Sequence, residues 1–159
     1  MKYTRINLTT EYWILFTDMA PVARPDTKTL FHIDLTWFEK NGRDSREAIH
    51  EALCDECRAR YPTPADARVV DRVHPQTAEV TRADALWESI VDHCAYKPGF
   101  ITPATPLTAA ILRALLANGN QPLSSEQLQK RAGKSSAAAI LKLLLGSEIE
   151  NGVVPFEAK

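Results

Sequence analysis

Apolar residues recur at helical spacing in five stretches of this chain and at strand spacing in a few short ones. Asp44 and Glu47 have the spacing of a capping box. Behind them, Ala48, Ile49, Ala52, Leu53 and Cys57 predict a helix from about Ser45 to Arg60. It should stop before Pro62, because the residue preceding a proline avoids the α region. Leu86, Trp87, Ile90, Val91 and Cys94 predict a second helix over roughly 82–96, ended by Lys97-Pro98-Gly99. Three shorter helices follow. Thr105-Pro106 opens the first as an N-cap with proline at the first helical position, and Leu107, Ile111, Ala114 and Leu115 form its buried stripe up to Asn118-Gly119-Asn120. Ser124 and Gln127 form a capping box for the next, which stops near Gly133. Ser135 or Ser136 caps the last, which runs through Ile140, Leu141, Leu143, Leu144 and Leu145 to Gly146.

Strand signals are sparser. Residues 3–33 read as irregular to β, with Tyr12 to Thr17 and Phe31-His32-Ile33 the best extended pieces. Trp37 and Phe38 should anchor this region on the helix that follows. Residues 62–80, with Pro62, Pro64 and His74-Pro75, read as an ordered loop or a short hairpin. Near the C-terminus, Glu148-Ile149-Glu150, Asn151-Gly152 and Val153-Val154 form a hairpin signal, since Asn-Gly suits a type I′ turn.

Three short helices followed by a hairpin resemble the winged-helix variant of the helix-turn-helix superfamily, over about residues 103–156. The resemblance rests on element order. Similar arrangements preceded by a Cys-x-x-Cys helix occur in uncharacterised bacterial proteins, which implies a fold and not an activity. The expected fold is therefore α+β and mainly α-helical. Residues 1–98 supply a β/loop segment with two cysteine-bearing helices, and residues 99–159 a winged-helix-like unit packed on it, within 159 residues that suit one domain or two sharing a core.

Composition narrows the class. Hydrophobic residues make up 45% and charged residues 25%, which excludes a collagen-like, mucin-like or fully disordered chain. The apolar run Tyr12–Phe16 is too short for a signal-peptide core and is bracketed by Glu11 and Asp18. The run from Pro106 to Ala117 contains Arg113 and is far short of a membrane span. A soluble, cytoplasmic protein with no membrane partner is expected.

Three cysteines are too few for a disulfide framework. Cys54 and Cys57 form a Cys-x-x-Cys pair, and Cys94 stands beside His93 in the second predicted helix. Zinc takes thiolate and imidazole ligands in a tetrahedron, so Cys54, Cys57, Cys94 and one histidine would make a Cys3His site stapling two helices. The histidine is His93 or His50. On a continuous helix His50, Cys54 and Cys57 fall at i, i+4 and i+7, on one face. His93 and Cys94 would diverge by about 100° in a helix, so His93 fits only if the helix frays there. His74 on the connecting loop is a third candidate. Two readings compete with zinc: cysteines packed as small hydrophobes, and a redox dithiol. A dithiol normally opens a helix after a strand, whereas this pair is expected near a helix end, where the dipole disfavours a thiolate.

Nothing marks an enzyme. Asp92-His93-Cys94 holds the residue types of a cysteine-nucleophile site, but helical neighbours do not face one another. Gly133-Lys134-Ser135 copies the tail of a phosphate-binding loop, yet Leu128 stands where its first glycine belongs, and a helix precedes it in place of a strand. Asp55-Glu56 and Glu148/Glu150 read as solvated faces.

Net charge is −1, but it is unevenly divided: residues 1–98 carry 13 basic and 16 acidic side chains, residues 99–159 carry 6 and 4. Lys130, Arg131, Lys134 and Lys142 cluster around the turn and third helix, where a helix-turn-helix meets DNA phosphates. Against sequence-specific reading, that helix begins Ser135-Ser136-Ala137-Ala138-Ala139, which offers few groups that reach base edges. The favoured function is a non-enzymatic adaptor or regulator with a protein partner. The alternative is a DNA- or RNA-binding protein with little sequence specificity. Seven of the twelve aromatic residues lie between Tyr3 and Phe38 and would add to a partner surface wherever they are exposed.

Overall fold

The computed structural model of the chain describes residues 24–146 and 152–158. Its elements run β1 (Leu30–Ile33), α1 (Leu35–Lys40), α2 (Ser45–Glu51), α3 (Asp55–Arg60), β2 (Val69–Val73), β3 (Val80–Asp84) and α4 (Ala85–Asp92). Then come α5 (Leu107–Ala117), β4 (Leu123–Ser124), α6 (Ser125–Ala132), α7 (Ala137–Leu145) and β5 (Val153–Pro155). The architecture is α+β and mainly helical, with two small antiparallel sheets.

The capping signals locate the C-terminal helices. Ser124 accepts from the Gln127 N–H while Gln127 accepts from the Ser124 N–H, a full capping box that opens α6. Gly133 ends α6 in the left-handed region, Ser136 caps α7, and Gly146 follows the last residue of α7. At α5 the start shifts by one: Pro106 is the cap residue, and Thr105 instead takes the Thr102 N–H on its hydroxyl.

The three-stranded sheet has the order β4-β1-β5, with Phe31 opposite both Leu123 and Pro155, and Ile33 opposite Val153. Phe31 and Ile33 point inward, and the strand alternates as a half-buried strand should. β4 stops after two residues, and Pro122, next in line, has no N–H to give the ladder. Asn120 takes over. Its Oδ1 accepts the Ile33 N–H at 2.7 Å, and its Nδ2 donates to the Ile33 carbonyl at 2.9 Å. The sheet thus joins strands from opposite ends of the sequence. One buried cluster holds Phe31, Leu53, Leu86, Ile111, Leu115, Leu128 and Ile140.

Two expectations need correction. The helix expected over 45–60 is two helices, because the backbone leaves the α region at Cys54. The helix expected over 82–96 begins at Ala85 and ends at Asp92. Arg82 to Asp84 instead belong to β3, and Asp84 caps the helix by accepting from Leu86 N. The second arm of the expected C-terminal hairpin, β5, pairs with β1; the first arm and Asn151 lie outside the described residues, as does the strand expected at Tyr12–Thr17. Trp37 and Phe38 lie on α1 itself, with Phe38 buried and Trp37 packed against the core.

Polar ties fix the segments that carry the cysteines. Arg46 on α2 forms an ion pair with Asp84 at 2.8 Å and donates to the Ala67 carbonyl. Trp87 on α4 donates its indole N–H to the Leu116 carbonyl at 3.0 Å. Among the described residues, no helix is long and apolar enough to cross a membrane.

Candidate metal centre

The break between α2 and α3 puts the Cys-x-x-Cys pair at a helix start. Ala52 and Leu53 donate to Ile49 and His50, a tightened last turn of α2. The Cys54 N–H then turns away and donates to the Cys94 sulfur at 3.3 Å. Cys54 becomes the N-cap of α3, and Cys57 sits on its first turn. Ala52, Leu53 and Cys57 are all buried, so the break keeps the apolar stripe inside while re-aiming the thiols.

A second break completes the cluster. α4 ends at Asp92, His93 has φ −133° and ψ −61°, and Cys94 opens a 3-10 turn to Tyr96. Adjacent residues that would diverge on a helix now both reach the pair. The sulfurs of Cys54 and Cys57 and a ring nitrogen of His93 lie within 4.8 Å of one another. The Cys94 sulfur stands 3.3 Å from that of Cys54. Ligands on a tetrahedral zinc, with Zn–S near 2.3 Å, are separated by about 3.8 Å. Cys54, Cys57 and His93 are grouped closely enough to hold one ion, whereas Cys94 adjoins Cys54 without lying within 4.8 Å of all three. Three thiols and an imidazole are donors that favour zinc over calcium or magnesium.

The three thiols have different electrostatics. Burial alone would raise the Cys54 thiol. The N–H of Cys57, the Cys94 and Cys57 thiols and the N–H of Glu56 outweigh it and hold Cys54 below the ordinary thiol value. Burial raises Cys57, and it pushes Cys94 up to about 12 against the lowering influence of the Cys54 N–H. Cys54 is half-buried, while Cys57 and Cys94 have no exposed surface.

The other histidines are engaged elsewhere. His50 Nε2 lies 2.6 Å from the Tyr61 carbonyl; with the helix broken, the single-face argument for His50 no longer holds. His74 Nδ1 receives the N–H groups of Gln76 and Thr77 in the β2–β3 turn. The objection to a dithiol from its place in a helix also disappears, since the pair opens α3. What separates the site from a simple dithiol is the third thiol and the imidazole.

Two charged residues join the site beyond the donors expected from sequence. Glu56, between the cysteines, holds His93 Nε2 at 2.9 Å and Lys97 Nζ at 2.8 Å. The Lys97 and His93 hydrogen bonds keep the Glu56 carboxyl below its usual range, and Glu56 in turn raises Lys97. The only clue in sequence is adjacency to cysteines, which fixes no direction. Beside Cys54 an open cleft of about 480 Å³ is lined by Arg58, Lys97, Phe100 and Arg113. Its cations are engaged: Lys97 with Glu56, Arg58 with the carbonyls of Glu51 and Leu53, and Arg113 with the carbonyl and ring of Phe100.

The basic cluster divides in two. Arg131, though exposed, donates to Asn118 Oδ1 at 2.8 Å and Lys134 to the Pro103 carbonyl at 3.1 Å, while Lys130 and Lys142 are exposed. Elsewhere, the β2–β3 hairpin exposes more than half of Val69, Val73 and Val80; Arg72, on its other face, pairs with Glu88 of α4. Comparisons with protein-family models, with curated proteins and with solved structures find no match.

Proposed function

We propose that this chain is a non-enzymatic interaction module stabilised by one structural zinc ion, bound by Cys54, Cys57, Cys94 and His93. The observation that carries the reading is the gathering of Cys54, Cys57 and His93 within 4.8 Å from two breaks, at the start of α3 and the end of α4. The Cys94 sulfur is 3.3 Å from that of Cys54, so that a side-chain movement of Cys94 would complete the set. All four donors come from the protein, as in a closed structural site; a catalytic zinc keeps a position open. The engaged cations of the neighbouring cleft argue in the same direction, because they leave little charge to grip a substrate. The valines of β2 and β3 support the interaction role, since exposed apolar side chains gain by being covered. The test is elemental analysis of protein purified without added metal. About one zinc per chain is expected, with thiols that titrate only after chelation. A substoichiometric content with three freely titrating thiols would remove the zinc.

A second reading rests on α7. Ser135, Ser136, Ala138, Ala139, Lys142 and the neighbouring Lys130 are exposed together on a helix that follows α6 in helix-turn-helix order. In a winged-helix arrangement this face would lie along nucleic acid with little base readout. With Arg131 and Lys134 turned back to the protein, two phosphate contacts remain. The slope of log K against log salt should then be about −1.8, against about −3.6 for all four. No duplex binding at low salt would sink this reading.

A further inference from the structure

We infer that Glu56 is the positioning residue of the metal centre: it holds His93 through Nε2, so that Nδ1 is the nitrogen presented to the metal. The inference rests on the zinc reading above and adds the ligand atom and the group that selects it. An imidazole nitrogen that donates a proton to a carboxylate has no lone pair for a metal. His93 Nε2 lies 2.9 Å from Glu56 Oε2, which leaves Nδ1. The carboxylate is itself held, because Lys97 Nζ donates to Oε1 at 2.8 Å. Both oxygens therefore have fixed directions.

The covalent arrangement makes this more than a surface ion pair. Glu56 directly precedes Cys57 and follows Cys54 by two, so its backbone moves with two of the ligands. Lys97 follows Cys94 by three, across the 3-10 turn. The outer polar trio thus ties the same two segments as the inner donors. Glu56 keeps 64% of its side chain exposed and could be solvated by water alone. Ligating histidines commonly give their second N–H to a carboxylate, which fixes tautomer and ring orientation. Because Glu56 is exposed, replacing it should leave the fold intact.

The experiment compares wild type, Glu56→Gln, Glu56→Ala and His93→Ala. Zinc affinity is read by competition with a chromophoric chelator, and the His93 ring nitrogens by long-range ¹H–¹⁵N correlation. In metal-free wild type the neutral His93 ring should be the Nε2–H tautomer, and on loading Nδ1 should show the metal-bound shift. Glu56→Ala should weaken zinc about 10- to 100-fold and lose the tautomer preference. Glu56→Gln, whose amide oxygen still accepts the N–H, should recover most of the affinity. Zinc on Nε2, or wild-type affinity in Glu56→Ala while His93→Ala is weakened, overturns this inference and leaves the zinc reading standing. Absence of zinc uptake by the wild type overturns both.

Discussion

The Cys94 sulfur lies 3.3 Å from that of Cys54, forty residues earlier, and accepts the Cys54 backbone N–H at the same distance. One buried thiol thereby serves two ends: it terminates the α2 turn register and sets the start of α3. A metal bound at this point would join two chain breaks, each of which leaves backbone groups without a helical partner.

Metal removal should therefore act on stability more than on local structure. With free zinc 100-fold above its dissociation constant, bound metal adds about 2.7 kcal/mol to the folded state. Chelation should lower the melting temperature of the wild type and leave Cys54→Ser/Cys57→Ser unchanged. Equal shifts in both proteins, followed by differential scanning calorimetry, would show that the chelator acts elsewhere.

Thiol accessibility gives a second check. Cys54 is half-buried, whereas Cys57 and Cys94 have no exposed surface. In metal-free protein, alkylation followed by peptide mass mapping should label Cys54 first. Cys57 and Cys94 should follow only at the rate of local opening. Zinc should protect all three together. Cys94 labelled ahead of Cys54 would contradict the packing.

The helices were legible because their caps are local. Ser124 and Gln127 satisfy each other within one turn, so the sequence contains the whole interaction. The break at Cys54 was not. Glu51-Ala52-Leu53-Cys54-Asp55 contains no proline or glycine, and its apolar spacing stays helical through the break. The partner that turns the chain, Cys94, is remote. β3 was hidden differently: the stripe of Leu86 and Ile90 extends naturally back to Arg82, and only the Asp84 cap says that the helix begins later. The sheet was least legible, since a two-residue β4 has no period to read. The four donors of the candidate metal site could be named from residue type, but choosing His93 over His50 needed both helix ends.

Acid should act through Asp34, the cap of α1. Its side chain accepts from the Thr36 hydroxyl at 2.7 Å and the Thr36 N–H at 3.0 Å, and the hydroxyl bond leads in lowering its pKa. A lowered folded pKa means stability present above the unfolded value of about 3.9 and lost as pH falls through the folded one. Asp34→Ala should cost about 1 kcal/mol at neutral pH. That difference from wild type should shrink below about pH 4, measured by urea unfolding across pH. A gap constant down to pH 2 would exclude the carboxylate as its source.

Asn120 offers a test of the sheet. Its amide makes both hydrogen bonds to Ile33, and its own φ is +59°. Asn120→Gly keeps the backbone conformation and loses both bonds, which should cost about 1–3 kcal/mol. Asn120→Ala adds the left-handed strain and should cost about 1 kcal/mol more. Hydrogen exchange of the Ile33 amide should accelerate in both. If the two variants are equally stable, the φ value contributes nothing.

Gly152 is where the C-terminal strand meets the N-terminal helix. It has φ +72°, and its carbonyl accepts the Asp34 N–H at 2.8 Å. A Cβ there would lie 2.6 Å from Phe38 Cε2 and 3.2 Å from the Asp34 carbonyl oxygen. Phe38 is buried, with 4% of its surface exposed, so its ring cannot swing clear. Gly152→Ala should therefore combine left-handed strain with overpacking and cost about 2–4 kcal/mol. The two contributions separate in a double-mutant cycle. In a Phe38→Leu background the steric part should fall away, leaving about 1–2 kcal/mol of backbone strain. An unchanged cost in that background would mean that the ring does not set the close approach, and that conformation alone requires glycine beside Asn151.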